Sequence, residues 1–477
     1  MEKLTGRTVE QNLLRNAMKS GVPELIAIYG RRRVGKTFLI RQTLGQAMAF
    51  EFTGTKDANL STQLERFKKT LGQAIGNDKI YQQPVKWADA FDQLSHYLTP
   101  RLKAEKCVVF LDEFPWLNTH KSGVLPAFDH WWNSWGTKQK NLVVIICGSA
   151  ASWMIQHIVN NKGGLHNRIT RKIRLLPFTL RETEQFLQAR KINIDRYQIL
   201  QLYMVIGGIP HYLKEVRKGE SATQAIDRIC FSKDGLLAGE FKNLYHSLFD
   251  DAARHLAIVK ALAGNQAGMT RTELITKTNL TSGGTVTGVL DQLIESGFVT
   301  DWVPYDKKSK DTIYKLADEF THFYLKFMAA NRSSGKGVWQ SLASGPSWRS
   351  WSGVAFERVC LKHLDQLKKE LGIGGIPTEA TAWRYLPADG KGAQIDLLLD
   401  RNDHVINLCE MKFSQSEFTI DKAYAAALEN KKDVFIRQTK TKKSIFLTFI
   451  TTFGITSNEY GKRMIQNAIT MDALFEQ

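Results

Sequence analysis

Over the N-terminal third of the chain, short unbroken apolar runs alternate with stretches in which apolar residues recur every three or four positions. The runs Glu24–Tyr29, Cys107–Leu111 and Leu142–Cys147 read as strands of a parallel sheet buried on both faces. The stretches between them read as covering helices, the first carrying Phe38, Leu39, Ile40 and Leu44. Residues 1–175 are therefore expected to form one α/β unit. Beyond Pro177 the pattern is helical, with Leu180, Phe186 and Leu187 at helix spacing and one interruption at Gly207-Gly208-Ile209-Pro210; residues 176–250 read as a small helical lid.

Residues 251–330 fit a winged helix. A first helix is expected over Arg254–Ala263, and a second from Thr270, capped reciprocally with Glu273. A third is expected from near Ser282, turning Val286, Val289, Leu290, Leu293 and Ile294 inward. The stretch Gly297 to Leu316 reads as a two-stranded wing with the charged tip Asp306-Lys307-Lys308-Ser309-Lys310-Asp311. Small and polar residues mark 331–347 as a linker, and 348–477 reads as a last domain: a helix, then strands around Gln394–Asp400 and Val405–Met411.

Composition adds a direction. The chain has 477 residues and 65 Lys+Arg against 47 Asp+Glu, a formal charge of +18 that attracts polyanions and makes DNA the first partner to consider. The five cysteines have neither paired nor metal-like spacing and are expected to be reduced core thiols; the histidines form no His-x-x-x-His pair or cluster with cysteine. With no signal-like N-terminus and no apolar run of membrane-spanning length, a cytoplasmic protein without a membrane partner is expected.

The glycine-framed loop after the first strand carries the most specific chemistry. In Gly30-Arg31-Arg32-Arg33-Val34-Gly35-Lys36-Thr37 the glycines let the backbone curl so that its N–H groups point at phosphate oxygens; Lys36 neutralises the β- and γ-phosphates and the Thr37 hydroxyl ligates Mg2+. The second apolar strand ends at Asp112-Glu113. There Asp112 is expected to hold the metal and Glu113 to polarise the attacking water. Ser149, at the end of the third strand, is a candidate to touch the γ-phosphate or the water. This is the phosphate loop of an ATP-binding protein.

These residues, with Leu111-Asp-Glu-Phe-Pro-Trp116, Cys147-Gly-Ser149, Arg168 through Pro177-Phe178, and Gly207-Gly-Ile-Pro-His-Tyr-Leu213, resemble the archaeal-type ATPases, P-loop proteins allied to the STAND and AAA+ groups. The resemblance runs through about the first 250 residues. It implies that Gly207, Gly208 and Pro210 lie near the adenine, and that Arg168 or Arg171 senses the γ-phosphate within one subunit or across two; a solvated basic face is the alternative for the arginines.

In the last domain Glu357 lies in a helix, Asp396 in a strand, and Glu410 and Lys412, two apart on the next strand, on one face. Two carboxylates, Asp396 and Glu410, are expected to bind Mg2+, or alternatively Mn2+, beside Lys412 and Glu357. The domain resembles the PD-(D/E)XK nuclease fold as it occurs fused to archaeal-type ATPases, although Ile395 stands where that pattern has proline. Two further Glu-x-Lys copies, Glu240-Phe-Lys242 and Glu429-Asn-Lys431, read as solvated helical pairs. In the winged helix Thr281, Ser282, Thr285, Thr287 and Gln292 are candidates for DNA contact.

The sequence thus points to an α/β multidomain chain: a P-loop parallel-sheet ATPase with helical lid, winged helix and C-terminal PD-(D/E)XK α/β domain. The expected function is ATP hydrolysis controlling DNA binding and metal-dependent DNA cleavage. The alternatives are an ATP-switched DNA-binding regulator with a non-catalytic last domain, and a signalling ATPase that binds proteins. Homo-oligomerisation stays open.

Overall fold

The computed structural model describes residues 4–76, 82–149, 151–159, 167–249, 251–280, 284–329, 335, 337–385 and 392–476. The chain divides into two units: Met1–Leu176 with Ser247–Asp250 and Glu295–Gly297, and Pro177–His246 with Asp251–Ile294 and Phe298–Gln477.

The first unit is built on β1 (Glu24–Tyr29), β2 (Met48–Thr53), β3 (Cys107–Asp112), β4 (Leu142–Gly148) and β5 (Arg171–Arg174). All run parallel, in the order β2-β3-β4-β1-β5. Every residue of β1, β3 and β4 is buried, the outcome for strands covered on both faces and the reason their sequences are continuously apolar rather than alternating. Helices Leu60–Ile75 and Trp87–Ala104 cover one side through an aromatic cluster. Phe67 sits 5.1 Å from both Phe50 and Phe52, and Phe91 stacks at 5.3 Å on Trp131. The helix Lys36–Leu44 starts at the carboxyl end of β1, which brings the phosphate loop to that edge of the sheet.

The second unit opens with helices Leu180–Ala189, Arg196–Ile206 and Pro210–Leu213. The Gly-Gly-Ile-Pro break has a packing cause: Phe178 donates its N–H to the Gly208 carbonyl at 2.6 Å, and a Cβ on Gly208 would lie 2.0 Å from the Phe178 carbonyl oxygen. Next come helices Ala252–Ala263, Arg271–Thr278 and Gly284–Glu295, with the three-stranded sheet of β6 (Met269–Thr270), β7 (Val299–Trp302) and β8 (Ile313–Leu316), ordered β6-β8-β7. Thr270 and Glu273 form the expected capping box.

The second half of the expected linker carries a helix. Residues 338–342 form a helix whose Trp339 is buried and stacks on Phe231 at 5.8 Å, and Asp227 accepts the Gly337 and Trp339 N–H groups at 2.8 and 2.7 Å. One apolar anchor and one buried carboxylate order a segment whose small-residue composition suggests a loop. Residues 331–334 and 336 lie outside the described residues.

The last sheet is mixed, β13-β12-β11-β10-β9, from β9 (Thr378–Tyr385), β10 (Ala393–Arg401), β11 (Val405–Lys412), β12 (Ser444–Thr451) and β13 (Asn467–Thr470). β9, β10 and β11 are antiparallel neighbours, whereas β11, β12 and β13 run parallel, β12 being reached through the helix Lys422–Thr439. Ile395, Leu398, Ile406 and Leu408 share a core cluster with Ala425, Leu428, Val434 and Phe435 of that helix.

Candidate functional sites

The phosphate loop bends through left-handed backbone at Arg33 (φ 70°) and Gly35 (φ 93°), and Gly35 caps the helix Lys36–Leu44. Gly30 has φ 150°, and its missing side chain has a second reason: a Cβ there would stand 2.3 Å from the Leu175 carbonyl oxygen. Leu175 is held close because its N–H donates to the Tyr29 carbonyl at 2.7 Å. Gly30 thus fits the loop against the chain leaving β5 as well as freeing the backbone.

Lys36 is buried and donates to the Gly30 carbonyl at 2.8 Å, the Arg31 carbonyl at 3.0 Å and Ser149 Oγ at 3.0 Å. Burial pulls the ammonium below its ordinary pKa, against the opposing charges of Glu113 and Asp112. Ser149 Oγ in turn donates to Glu113 Oε1 at 2.6 Å, and Ser149 N–H to Glu113 Oε2 at 3.1 Å. Ser149 therefore bridges the lysine and the carboxylate, a role that no local motif announces. Thr37 Oγ1 donates to Asp112 Oδ2 at 2.7 Å, and the other carboxylate oxygen of Asp112 accepts the Glu113 N–H at 2.9 Å. A hydroxyl and a carboxylate oxygen side by side at a phosphate loop suit a hard divalent cation. Arg31 and Val34 are buried in the loop, Arg33 is partly buried and Arg32 is exposed.

Arg171 stands opposite Ile26, and Thr170 donates its N–H to the Leu25 carbonyl, so Arg168 and Arg171 lie toward the amino end of the sheet. From Ile26 to Tyr29 the strand climbs about 10 Å, and the loop lies beyond Tyr29. Arg171 is engaged by Glu24 at 2.9 Å and Arg168 is exposed. Gly207, Gly208 and Pro210 belong to the second unit, where Pro210 opens its short helix.

In the second unit Glu410 is buried and carries three partners. Tyr424 donates to it at 3.2 Å, Lys412 Nζ lies 3.6 Å away, and Lys431 forms a close ion pair with it. The expected solvated pair of Lys431 with Glu429 is corrected: Lys431 turns to Glu410, and Glu429 pairs with Arg463 at 3.1 Å. The lysine lies on the helix Lys422–Thr439, 21 residues from Glu410 in sequence, so strand spacing alone could not reveal it. Glu240 is likewise not solvated: it is buried and accepts from Tyr212 Oη at 3.0 Å.

The β10–β11 register reaches Leu397 opposite Cys409 and stops one residue short of Asp396 and Glu410, at a bulge against β9 between Ile395 and Leu398. Asp396 accepts from Gln394 Nε2 at 2.6 Å. Glu357 lies within electrostatic reach of Asp396, Lys315, Lys412 and Glu410; burial, helped by the Asp396 charge, pushes its carboxyl up to about 7. Among the described residues no three His, Cys, Asp or Glu side chains gather as a metal-holding group.

Of the DNA-contact candidates, Thr285 and Thr287 are exposed, whereas Gln292 meets the buried His255 Nε2 at 2.7 Å and is taken up in helix packing. Thr281 and Ser282 lie outside the described residues.

The parallel sheet, the phosphate loop at its carboxyl edge and the acidic pair ending β3 define a P-loop ATPase domain. Residues 4–216 match a family described as an ATPase domain predominantly from Archaea, which supports nucleotide binding and hydrolysis by this part of the chain. An uncharacterized protein of Methanocaldococcus jannaschii is 25% identical over 418 residues, spanning 85% of this chain and 87% of that one. Among solved structures, a Walker-type ATPase of Pyrococcus abyssi is 18% identical, covering 68% of this chain and 96% of its own, with a TM-score of 0.49. The ORC2 protein of Aeropyrum pernix, in ADPNP and ADP complexes, is 16% identical, with 72% and 96% covered and a TM-score of 0.45. Among the described residues no helix is long and apolar enough to cross a membrane.

Proposed function

We propose that the chain is a magnesium-dependent ATPase whose nucleotide state governs DNA binding by residues 251–330, read as a winged helix, and 348–477, read as a PD-(D/E)XK-like domain. The observation that carries it is the connected set Lys36–Ser149–Glu113 beside Thr37–Asp112. Backbone N–H groups of Arg31 to Gly35 would cradle the phosphates, and Lys36 would exchange the Gly30 and Arg31 carbonyls for phosphate oxygens. Thr37 and Asp112 would hold the cation, which neutralises phosphate charge when bound. Glu113, handed over by Ser149, would orient the attacking water. Lys36→Ala should abolish tight ATP binding, whereas Glu113→Gln should bind ATP and hydrolyse it slowly; unchanged turnover in both variants removes the assignment.

DNA binding rests on the net charge of +18 and on the exposed wing-tip residues Lys307, Lys308 and Lys310. Its signature is affinity for duplex that falls steeply with salt. A second reading, cleavage of DNA with Mg2+ or Mn2+, draws support from Glu410 with its flanking Lys412 and Lys431, and from Glu357 near Asp396. Metal-dependent cleavage lost in Asp396→Ala would establish it; DNA binding without cleavage would establish the regulator instead.

A further inference from the structure

Just beyond β7, residues 303–305 run along β9, the edge strand of the C-terminal sheet. Tyr305 donates its N–H to the Ala382 carbonyl at 2.9 Å, and Thr381 Oγ1 donates to the Val303 carbonyl at 2.5 Å, which covers an otherwise unpaired edge. The Tyr305 ring reaches on to the helix Lys422–Thr439, where it meets Phe435 at 5.6 Å. Burial and the Asp400 charge push the Tyr305 hydroxyl above its ordinary pKa, with Lys443 opposing, so its polar end stands near the turn that enters β12. The chain entering the charged tip after β7 is therefore fixed to the last sheet.

This docking sets two basic segments, far apart in sequence, beside each other. Lys307, Lys308 and Lys310 follow Tyr305; Arg437, Lys440 and Lys442 follow Phe435, at the end of its helix and in the turn behind it. All six are exposed. Their neighbours Arg401 and Lys443 are engaged by Asp403 and Asp400, whereas none of the six forms an ion pair among the described residues. A helix C-terminus holds cations in its last turn without any ligand, which accounts for Arg437 and Lys440. It does not account for three more cations brought against them from another element. Unneutralised like charges raise the local potential, and a polyanion relieves it.

We propose that residues 307–310 and 437–442 form one composite surface that holds the phosphate backbone of duplex DNA, with contacts from the 251–330 and 348–477 segments at once. The proposal rests on the DNA-binding reading above and adds to it a second set of contacts and a place. Duplex is the favoured polyanion for two reasons. Its phosphates follow one another densely enough to meet both basic segments along one stretch. The helix Gly284–Glu295 also exposes Thr285 and Thr287, which suits groove contact while the cations meet the backbone.

The test titrates the full chain against a labelled duplex by fluorescence anisotropy at several salt concentrations. Lys440→Gln with Lys442→Gln, and separately Lys307→Gln with Lys308→Gln, should each weaken binding and lower the slope of log affinity against log salt by about two. The variant carrying all four changes should lower it by about four. Lys138→Gln with Lys140→Gln, which removes the same charge from exposed positions of the first unit, should keep the wild-type slope. All these positions are exposed, so urea midpoints should not move, and lost binding is not lost folding. A wild-type slope in either of the first two variants, with duplex still bound, overturns the composite surface and leaves the DNA-binding reading standing. An equal loss in the Lys138/Lys140 variant reduces the effect to net charge and overturns the surface as well. Absence of duplex binding by wild type at the lowest salt overturns both.

Discussion

Gly30→Ala measures how tightly the phosphate loop is fitted to its sheet. The added Cβ would start 2.3 Å from the Leu175 carbonyl oxygen, with the Leu175 carbonyl carbon at 3.2 Å and nitrogen at 3.4 Å, all backbone atoms that cannot rotate aside. Relief requires the loop and the chain leaving β5 to part by on the order of 1 Å, and a displacement of that size at a reacting group costs about 100-fold in rate. Overpacking adds a loss of about 1–3 kcal/mol in stability. Gly35→Ala is the comparison: it too stands at positive φ, 93° against 150° at Gly30, but has nothing within 4 Å of its Cβ. Gly30→Ala should therefore lower both kcat/KM for ATP and the urea midpoint. Gly35→Ala should cost about 1–2 kcal/mol through left-handed backbone and slow ATP turnover because Gly35 shapes the phosphate cradle, without the added steric loss at Leu175. Steady-state ATPase assays and urea titrations of both variants check this. Wild-type kcat/KM together with a wild-type midpoint for Gly30→Ala would refute the packing argument.

Gly208→Ala, with its Cβ placed 2.0 Å from the Phe178 carbonyl oxygen, should destabilise the second unit by about 1–3 kcal/mol; Gly239→Ala, with open space around it, should stay within about 0.5 kcal/mol of wild type in the same melt. Glu357 titrates near 7 when folded and near 4.5 when unfolded, so the folded state holds the proton more tightly and stability should fall as pH rises between those values. Glu357→Gln should abolish that slope and gain up to about 3 kcal/mol over wild type at pH 8, read from denaturation midpoints across the range. His363 behaves oppositely. Its Nε2 accepts the Leu180 N–H at 3.0 Å and burial holds its pKa near 4, below the ordinary 6.5, so this contribution is present above 6.5 and lost as pH falls through 4; NMR titration of the imidazole with an acid-unfolding curve checks it.

Features confined to contiguous stretches of chain are legible in the amino-acid sequence itself. The apolar runs that become β1, β3 and β4, the Gly30–Thr37 loop and the Asp112-Glu113 strand end depend on local periodicity and on residue types a few positions apart. The parallel sheet follows because strands without alternation need helices on both faces. What the tertiary structure decided lies between segments far apart in sequence. Ser149 meets Lys36 across 113 residues; Lys431 turns from its neighbour Glu429 to Glu410; Gln292 is drawn to His255; Trp339 orders a segment that reads as linker. The strand register then places Arg171 opposite Ile26, three residues before the end of β1 that leads into the phosphate loop, a fact of pairing that a list of basic residues does not contain. Periodicity states which face of an element is buried; the group that meets a given side chain there is settled only when register and packing bring the two segments together.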